Sequence, residues 1–575
     1  MSLEKRWIVK PQGNPQAVQE LAQVLSIDTS LANLLVQRGI TDYASAKAFF
    51  RPQLTDLHDP FLMKDMDKAV ERLEKALSSN EKIMVYGDYD VDGTTAVALV
   101  YSFLKFLGAQ VSYFIPERYR DGYGISLRGI DLAHSQGATL IIALDCGIKA
   151  VEKVAYATQK GVNFIICDHH LPGSEVPAAT AVLDPQRVDC SYPYRELSGC
   201  GVGFKFMQAY CQKNNVPFDK LASLLDLVAV SIASDIVPLT GENRVLAHHG
   251  LLQINNNPGK GLSSIIKRSG LHEHRIAIDD IVFRLGPRIN AAGRMESGTT
   301  AVDLLTAESD EAADEFSAII NDQNNDRKYI DRSITLEAIE LIKQDTEYKN
   351  KKTTVLYNPG WHKGVVGIVA SRLIETYYRP TIVLTESNGF VTGSARSIPG
   401  FDLYQAIESC ADLLENFGGH MYAAGLTIKA DKVATFIKRF EEFSAKYLTD
   451  EMLTPQIEVD AELNFSEITP KFYRILKQFQ PFGPGNMSPV FMAKRAYGNG
   501  NTRLVGAENA HLKIDLIQET TPHQSIPAIA FGQSNLFQHI QGGKPIDVCY
   551  SATENVYRGN TSLQLRIKDI KKSNR

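Results

Sequence analysis

Residues 82–93 read KIMVYGDYDVDG, and the fold is decided there. Ile83 to Tyr86 is a short unbroken apolar run, as expected of a strand buried on both faces. Asp88, Asp90 and Asp92 follow at alternate positions, directly at the carboxyl end of that strand. Acids so close repel one another and cost stability unless a cation neutralises them, and an oxygen-rich set suits Mg²⁺ or Mn²⁺. A solvated acidic turn is the plain alternative. An EF-hand loop is not, because no glutamate stands at its twelfth position and a strand rather than a helix precedes it.

The same pattern recurs downstream. TLIIALD (139–145), NFIICD (163–168) and TAVLD (180–184) are apolar runs that each end in aspartate. Helix-compatible stretches such as TAVALVYSFLKFLG and KAVEKVAYATQKG lie between them. Strands alternating with helices predict an α/β fold with a doubly wound parallel sheet. Asp88, Asp145, Asp168 and Asp184 then stand at strand carboxyl ends, where open α/β sheets bind ligands.

Outward from this core, Val18, Leu21, Val24 and Leu25, then Leu31, Leu34 and Leu35, recur at helical spacing and predict a helical lead-in over residues 1–75. The sheet and a long connecting helix occupy 76–345. TTVLYNP, RPTIVLTE and GFVTGSARS, with the helix GVVGIVASRLIETYY among them, predict a second, smaller α/β domain over 350–450. VFMAKRAYGNG, AHLKIDLIQ, IPAIAFG, PIDVCYSATENVY and LQLRIKDIKK predict a β-barrel of the OB type over 455–575.

Composition narrows the function. The net charge of −5 means that a nucleic-acid partner would be held by local basic grooves and not by overall basicity. The amino terminus lacks an apolar signal region, and no run of about 18 apolar residues predicts a membrane span. Seven cysteines without CxxC spacing fit reduced thiols in a cytoplasmic protein. No Walker A motif is present, so no use of ATP is expected.

Further candidate ligands follow in order. Asp145 alone reads as readily as a helix cap as a ligand. Asp168-His169-His170 stands at a strand end beside a carboxylate-rich site, where imidazole tilts the preferred ion toward Mn²⁺. Asp235 lies in the apolar segment LLDLVAVSIASDIVPL, where burial needs a metal, an arginine or an outlet to solvent.

Taken together, these sites run DxDxDG, D, DHH and D, with spacings of about 55, 24 and 66 residues. The order resembles the DHH phosphoesterase superfamily. GPRINAAGRM (286–295), WHKGVVGIVA (361–370), GSARS (393–397), FGGH (417–420) and PFGPGN (481–486) are similar to its RecJ branch, over essentially the whole chain. The resemblance implies a DHH domain, a DHH-associated domain and an OB-fold, and two divalent ions, Mn²⁺ or Mg²⁺. Asp145 would bridge the ions, with Asp90, Asp92, His169 and Asp235 completing the shells and Asp88 as a further ligand. His170 would contact the scissile phosphate or assist the leaving group, and Asp168 would orient His169.

The activity implied is a 5′→3′ exonuclease on single-stranded DNA in repair and recombination. Polarity would come from binding the 5′-terminal phosphate through Arg118, Arg288 or Arg294, Ser394 and Arg396. Asn290 and His420 would lie beside the DNA. Where the family reads Ser-Gly-Arg-Ser, this chain has Ser394-Ala395-Arg396-Ser397. Alanine tolerates a left-handed backbone poorly, so the local turn is expected to differ. Tyr473, Arg474, Lys494, Arg495, Tyr497, Arg503, Lys513 and Tyr557 are candidate strand contacts in the barrel, each as readily a core or solvated residue. Family analogy adds a single-strand-binding protein and a RecQ-type helicase as partners. The alternative reading is a phosphodiesterase on short oligoribonucleotides or cyclic dinucleotides. A metal-free scaffold is a third, against which the intact acids argue.

Overall fold

Lys82–Gly87 is the second strand of a five-stranded, wholly parallel sheet in a computed structural model that describes residues 3–557 and 560–573. Across the sheet the order is Gln110–Phe114, Lys82–Gly87, Ala138–Leu144, Asn163–Cys167, Ala181–Leu183. The chain goes from Lys82–Gly87 to one neighbour, then crosses back to the other. The topological switch point therefore lies between Gly87 and Leu144, which pair in register. Leu144 in turn pairs with Cys167. Asp88, Asp145 and Asp168 thus leave three adjacent strands side by side at the carboxyl edge.

The Val91–Phe106 helix starts directly after the acidic loop, and the Asp90 carboxylate caps it by accepting the Gly93 N–H at 3.0 Å. Gly93 has no alternative here, because a Cβ would stand 2.4 Å from the Asp88 carbonyl oxygen. This helix is buried almost all round. It packs with the sheet and with the Gly199–Asn214 and Leu225–Asp235 helices in one apolar core.

The described chain divides into two compact units. One comprises Lys47–Lys328 with Pro481–Met487 and contains the parallel sheet. The PFGPGN turn therefore belongs with this unit: Leu239 donates its N–H to the Pro484 carbonyl at 2.7 Å, and Gly483 and Asn486 exchange backbone hydrogen bonds. The other unit comprises the chain up to Ala46, Tyr329–Gln480 and Ser488 onward. It holds a mixed five-stranded sheet ordered Leu414–His420, Ala423–Ile428, Phe390–Arg396, Thr381–Ser387, Thr354–Tyr357. It also holds a barrel in which Phe491–Gly498, His511–Gln518, Thr521–Ala530, Asn560–Lys572 and Ile546–Tyr557 pair in that circular order. That 1-2-3-5-4-1 closure is an OB-fold. Arg6–Val9, ahead of the lead-in helices, forms a strand parallel to Gln456–Val459. Among the described residues no helix is long and apolar enough to cross a membrane. All seven cysteines are buried and unpaired.

Candidate metal centre

The carboxyl edge of the parallel sheet gathers acids whose burial demands a counter-charge. Asp88, Asp92 and Asp145 are buried, and both oxygens of Asp88 and of Asp145 lack a hydrogen-bond partner among the described residues. Burial, then the charge of Asp90, pushes the Asp88 carboxyl well above the usual range. Burial, then Asp92 and Asp90, does the same to Asp145. Asp235 ends its helix beside them. Burial followed by the charges of Asp92 and Asp90 raises it to about 8. His169 Nε2, also without a hydrogen-bond partner, stands 3.2 Å from Asp145, 3.6 Å from Asp235 and 3.7 Å from Asp92 oxygens. Uncompensated buried carboxylates cost several kcal/mol each, so the cluster fits a divalent cation. Its oxygens with one imidazole suit Mn²⁺ or Mg²⁺.

Backbone geometry aims the ligands. Asp145 is left-handed at φ 58°, a conformation Asp tolerates better than most residues, and its N–H bonds the Cys167 carbonyl. Ile236, at φ 60°, is a β-branched residue in the same region and stops the helix immediately after Asp235. Asp92 is held differently. Its Oδ2 accepts the Gly199 N–H at 2.6 Å, and its Oδ1 accepts the Cys200 N–H at 2.8 Å and the Ser231 hydroxyl at 2.7 Å. The N–H groups at a helix N-terminus thus fix the position of this carboxylate.

Asp168 corrects one expectation. It does not reach the His169 ring. Its Oδ1 accepts the His169 N–H and pairs with His170 Nδ1 at 2.7 Å, while Oδ2 accepts the Ile148 N–H. Burial would raise Asp168, but the His170 hydrogen bond and charge outweigh it and bring it to about 2. Burial would lower His170, but Asp168 carries it to about 9. The pair is therefore an ion pair at neutral pH. Tyr123, unremarked in the sequence, places its hydroxyl 3.1 Å from His170 Nε2. A cavity of about 490 Å³ opens here, lined by Tyr123, Cys146, Lys149, Lys153, Asp168 and His170.

GPRINAAGRM is a helix, Gly286–Met295. It approaches the site through its glycines: Cβ atoms at Gly293 and Gly286 would stand 2.4 Å from the Tyr89 carbonyl oxygen and 2.7 Å from Ser234 Oγ. The Arg288 Nε and Asn290 Oδ1 are buried without a hydrogen-bond partner among the described residues. Arg118 lies over the Tyr89 ring at 4.2 Å and donates to the Gly293 carbonyl, and Tyr119 donates to the Arg294 carbonyl.

In the other unit, Arg396 donates to Ser394 Oγ at 2.9 Å, and Gly367 leaves room for both side chains. His420 is exposed at the end of its strand. Partial desolvation of its ring, then the Arg396 charge, lowers its pKa. The expected distortion at Ala395 is absent, because residue 395 lies in a strand, pairs with Ile382 and Ala424, and points into the core. Of the barrel candidates, Lys494 and Arg495 are engaged with Glu462 and Glu519, and the Tyr557 side chain lies outside the described residues.

Comparison with known proteins agrees with this architecture. Models of the DHH family N-terminal domain, the DHHA1 domain and the RecJ OB domain match residues 82–232, 350–446 and 459–569. The single-stranded-DNA-specific exonuclease RecJ of Bacillus subtilis is 36% identical over 571 residues, 99% of this chain and 71% of that protein. That of Escherichia coli is 34% identical over 523 residues, 88% and 90% of the two chains. The crystal structure of RecJ in complex with Mn²⁺ from Thermus thermophilus aligns with a TM-score of 0.85 at 26% identity, covering 99% of this chain and 80% of that one. With this identity running through the catalytic sheet, the associated domain and the barrel, the chain belongs to the RecJ family of DHH phosphoesterases.

Proposed function

We propose that this protein is a metal-dependent exonuclease that degrades single-stranded DNA from the 5′ end to mononucleotides, in repair and recombination. The observation that carries the reading is the cluster of Asp88, Asp145 and His169, whose ligand atoms are buried with no hydrogen-bond partner among the described residues. Asp88, Asp90, Asp92, Asp145, His169 and Asp235 would hold two divalent ions, Mn²⁺ or Mg²⁺, as bound in the relative of known structure. When bound, such ions supply a nucleophile at neutral pH and draw charge from the phosphate oxygens.

The chain's own residues do the rest. His170, paired with Asp168, would give a proton to the leaving oxygen. The helix N-terminus at Gly199 holds the Asp92 carboxylate in place. Arg118, Arg288, Asn290 and Arg294 offer guanidinium and amide groups to phosphate oxygens, as do Ser394, Arg396 and His420 in the other unit. The working division follows the domains: residues 76–345 cut, 350–450 hold phosphate, 455–575 bind the strand, and 1–75 serve as a helical lead-in.

The test compares single strands labelled at either end with the matching duplex. Label released first from the 5′ end of the single strand, with the duplex spared, is expected. Equal attack on duplex, or cleavage confined to strands of a few nucleotides, would contradict the reading.

A further inference from the structure

The cavity of about 490 Å³ beside His170 is larger than a metal centre needs, and falls in the range of small-molecule sites, roughly 300–1,000 Å³. Residues 123–125 and 146–153 form its walls, and Asp168 and His170 close one end. The polar groups around that end are engaged with one another. The Tyr123 hydroxyl lies 3.1 Å from His170 Nε2, and Lys153 Nζ donates to the Ile125 carbonyl. Asp168 Oδ2 accepts the Ile148 N–H at 2.9 Å. Lys149 and Glu152, of opposite charge, line the cavity and are exposed. The rest of the wall is aliphatic, with Ile125, Ile148, Ala150 and Val151. Tyr123 is 53% exposed, and its ring stands edge-on to His170 with centroids 6.1 Å apart. An open aromatic face over an aliphatic wall matches a flat group of little charge rather than an anion.

The chemistry identifies that group. Polarity read from a 5′-terminal phosphate requires each cut to leave a new 5′-phosphate on the strand. Water then adds to phosphorus, the P–O3′ bond breaks, and the 3′-oxygen of the terminal nucleoside leaves with a proton. His170 is the donor assigned to that oxygen, so the departing nucleoside lies on its side, where the cavity opens. We propose that the cavity seats the base of the 5′-terminal nucleotide, stacked on Tyr123 and packed against Ala150 and Val151. The inference rests on the proposed 5′ exonuclease activity and adds a requirement on the strand end. That end must carry a base, whose identity matters little because shape and apolar contact hold it.

The experiment measures the first cut of two 5′-phosphorylated strands in Mn²⁺, one ending in thymidine and one in an abasic tetrahydrofuran residue. Wild type is compared with Val151→Trp, which fills the cavity, and Val151→Ala, which leaves it open. Wild type is expected to release the abasic end about tenfold more slowly or worse. Val151→Trp should slow the thymidine end to the abasic rate and leave the abasic end unchanged. Val151→Ala should keep the wild-type ratio. Equilibrium dialysis in chelator, with thymidine 5′-monophosphate against deoxyribose 5-phosphate, reads the same preference without cutting. A wild type that prefers the nucleotide in dialysis but releases nothing from either strand would sink the activity and leave the cavity's occupant standing. Equal release of the two ends by wild type, with equal binding in dialysis, would overturn the proposal. So would a Val151→Trp protein that slows both ends alike, or neither.

Discussion

Gly199 lies against Asp145: a Cβ on Gly199 would stand 2.6 Å from the Asp145 Cβ and 2.8 Å from its Oδ1. The same glycine donates its N–H to Asp92. One residue without a side chain therefore sets the spacing of two carboxylates that approach His169. Gly199→Ala is expected to lower metal-dependent activity at least about 100-fold, by displacing a ligand of the proposed centre, with helical circular dichroism retained. Activity within a few-fold of wild type would show that Asp145 can shift without cost.

Ser231 tests the support beneath Asp92. Its hydroxyl donates to Asp92 Oδ1 and lies 2.6 Å from Ser198 Oγ. Ser231→Ala should weaken the apparent metal affinity by about 10- to 100-fold and leave kcat near wild type at saturating metal. A titration of activity against Mn²⁺ reads both numbers.

The clustered acids predict how metal-free stability depends on pH. Asp235 titrates near 8 when folded and near the ordinary carboxylate value when unfolded, so the folded state binds the extra proton between those limits. Stability without metal should therefore fall as pH rises from about 4 to about 8, and level off above. A divalent cation takes the place of the protons, so Mn²⁺ should raise Tm more near pH 8.5 than near pH 5.5, by about 5 °C or more. Melting curves in chelator and in Mn²⁺ give the comparison. A metal effect independent of pH would place the ion elsewhere.

The Asp168–His170 pair predicts the alkaline side of the activity profile. Held near 9, His170 stays protonated through neutral pH. Asp168→Asn removes the charge that outweighs burial, so the alkaline limb of kcat should move acidward by about two pH units. An unmoved limb would mean that His170 carries no proton to the reaction.

The sequence made the sheet and its acidic edge legible because both are local signals. Apolar runs ending at Asp88, Asp145 and Asp168 announce strand ends without knowledge of their neighbours. What stayed hidden depends on pairing between distant segments. Asp92 meets Gly199 and Cys200 across a sequence separation of more than a hundred residues. The glycine-rich SGCG start of that helix was the available signal. Arg6–Val9 pairs with Gln456–Val459, and PFGPGN returns to Leu239, and neither leaves a trace in hydrophobic period. Ala395 was misjudged because a glycine in the family pattern suggested a turn, whereas the site is a strand position that accepts a small side chain. The role of Asp168 changed from His169 to His170 because its Oδ1 meets the His170 ring and only the backbone N–H of His169.

The most direct test of the central claim is mononucleotide release from a 5′-labelled single strand of about 30 nucleotides, a length well beyond one OB-fold site, in Mn²⁺ by wild type and Asp145→Ala. Release by wild type and its loss by at least about a thousandfold in the variant is the predicted result. Equal release by both proteins would contradict the assignment of the buried carboxylate cluster as the cutting centre.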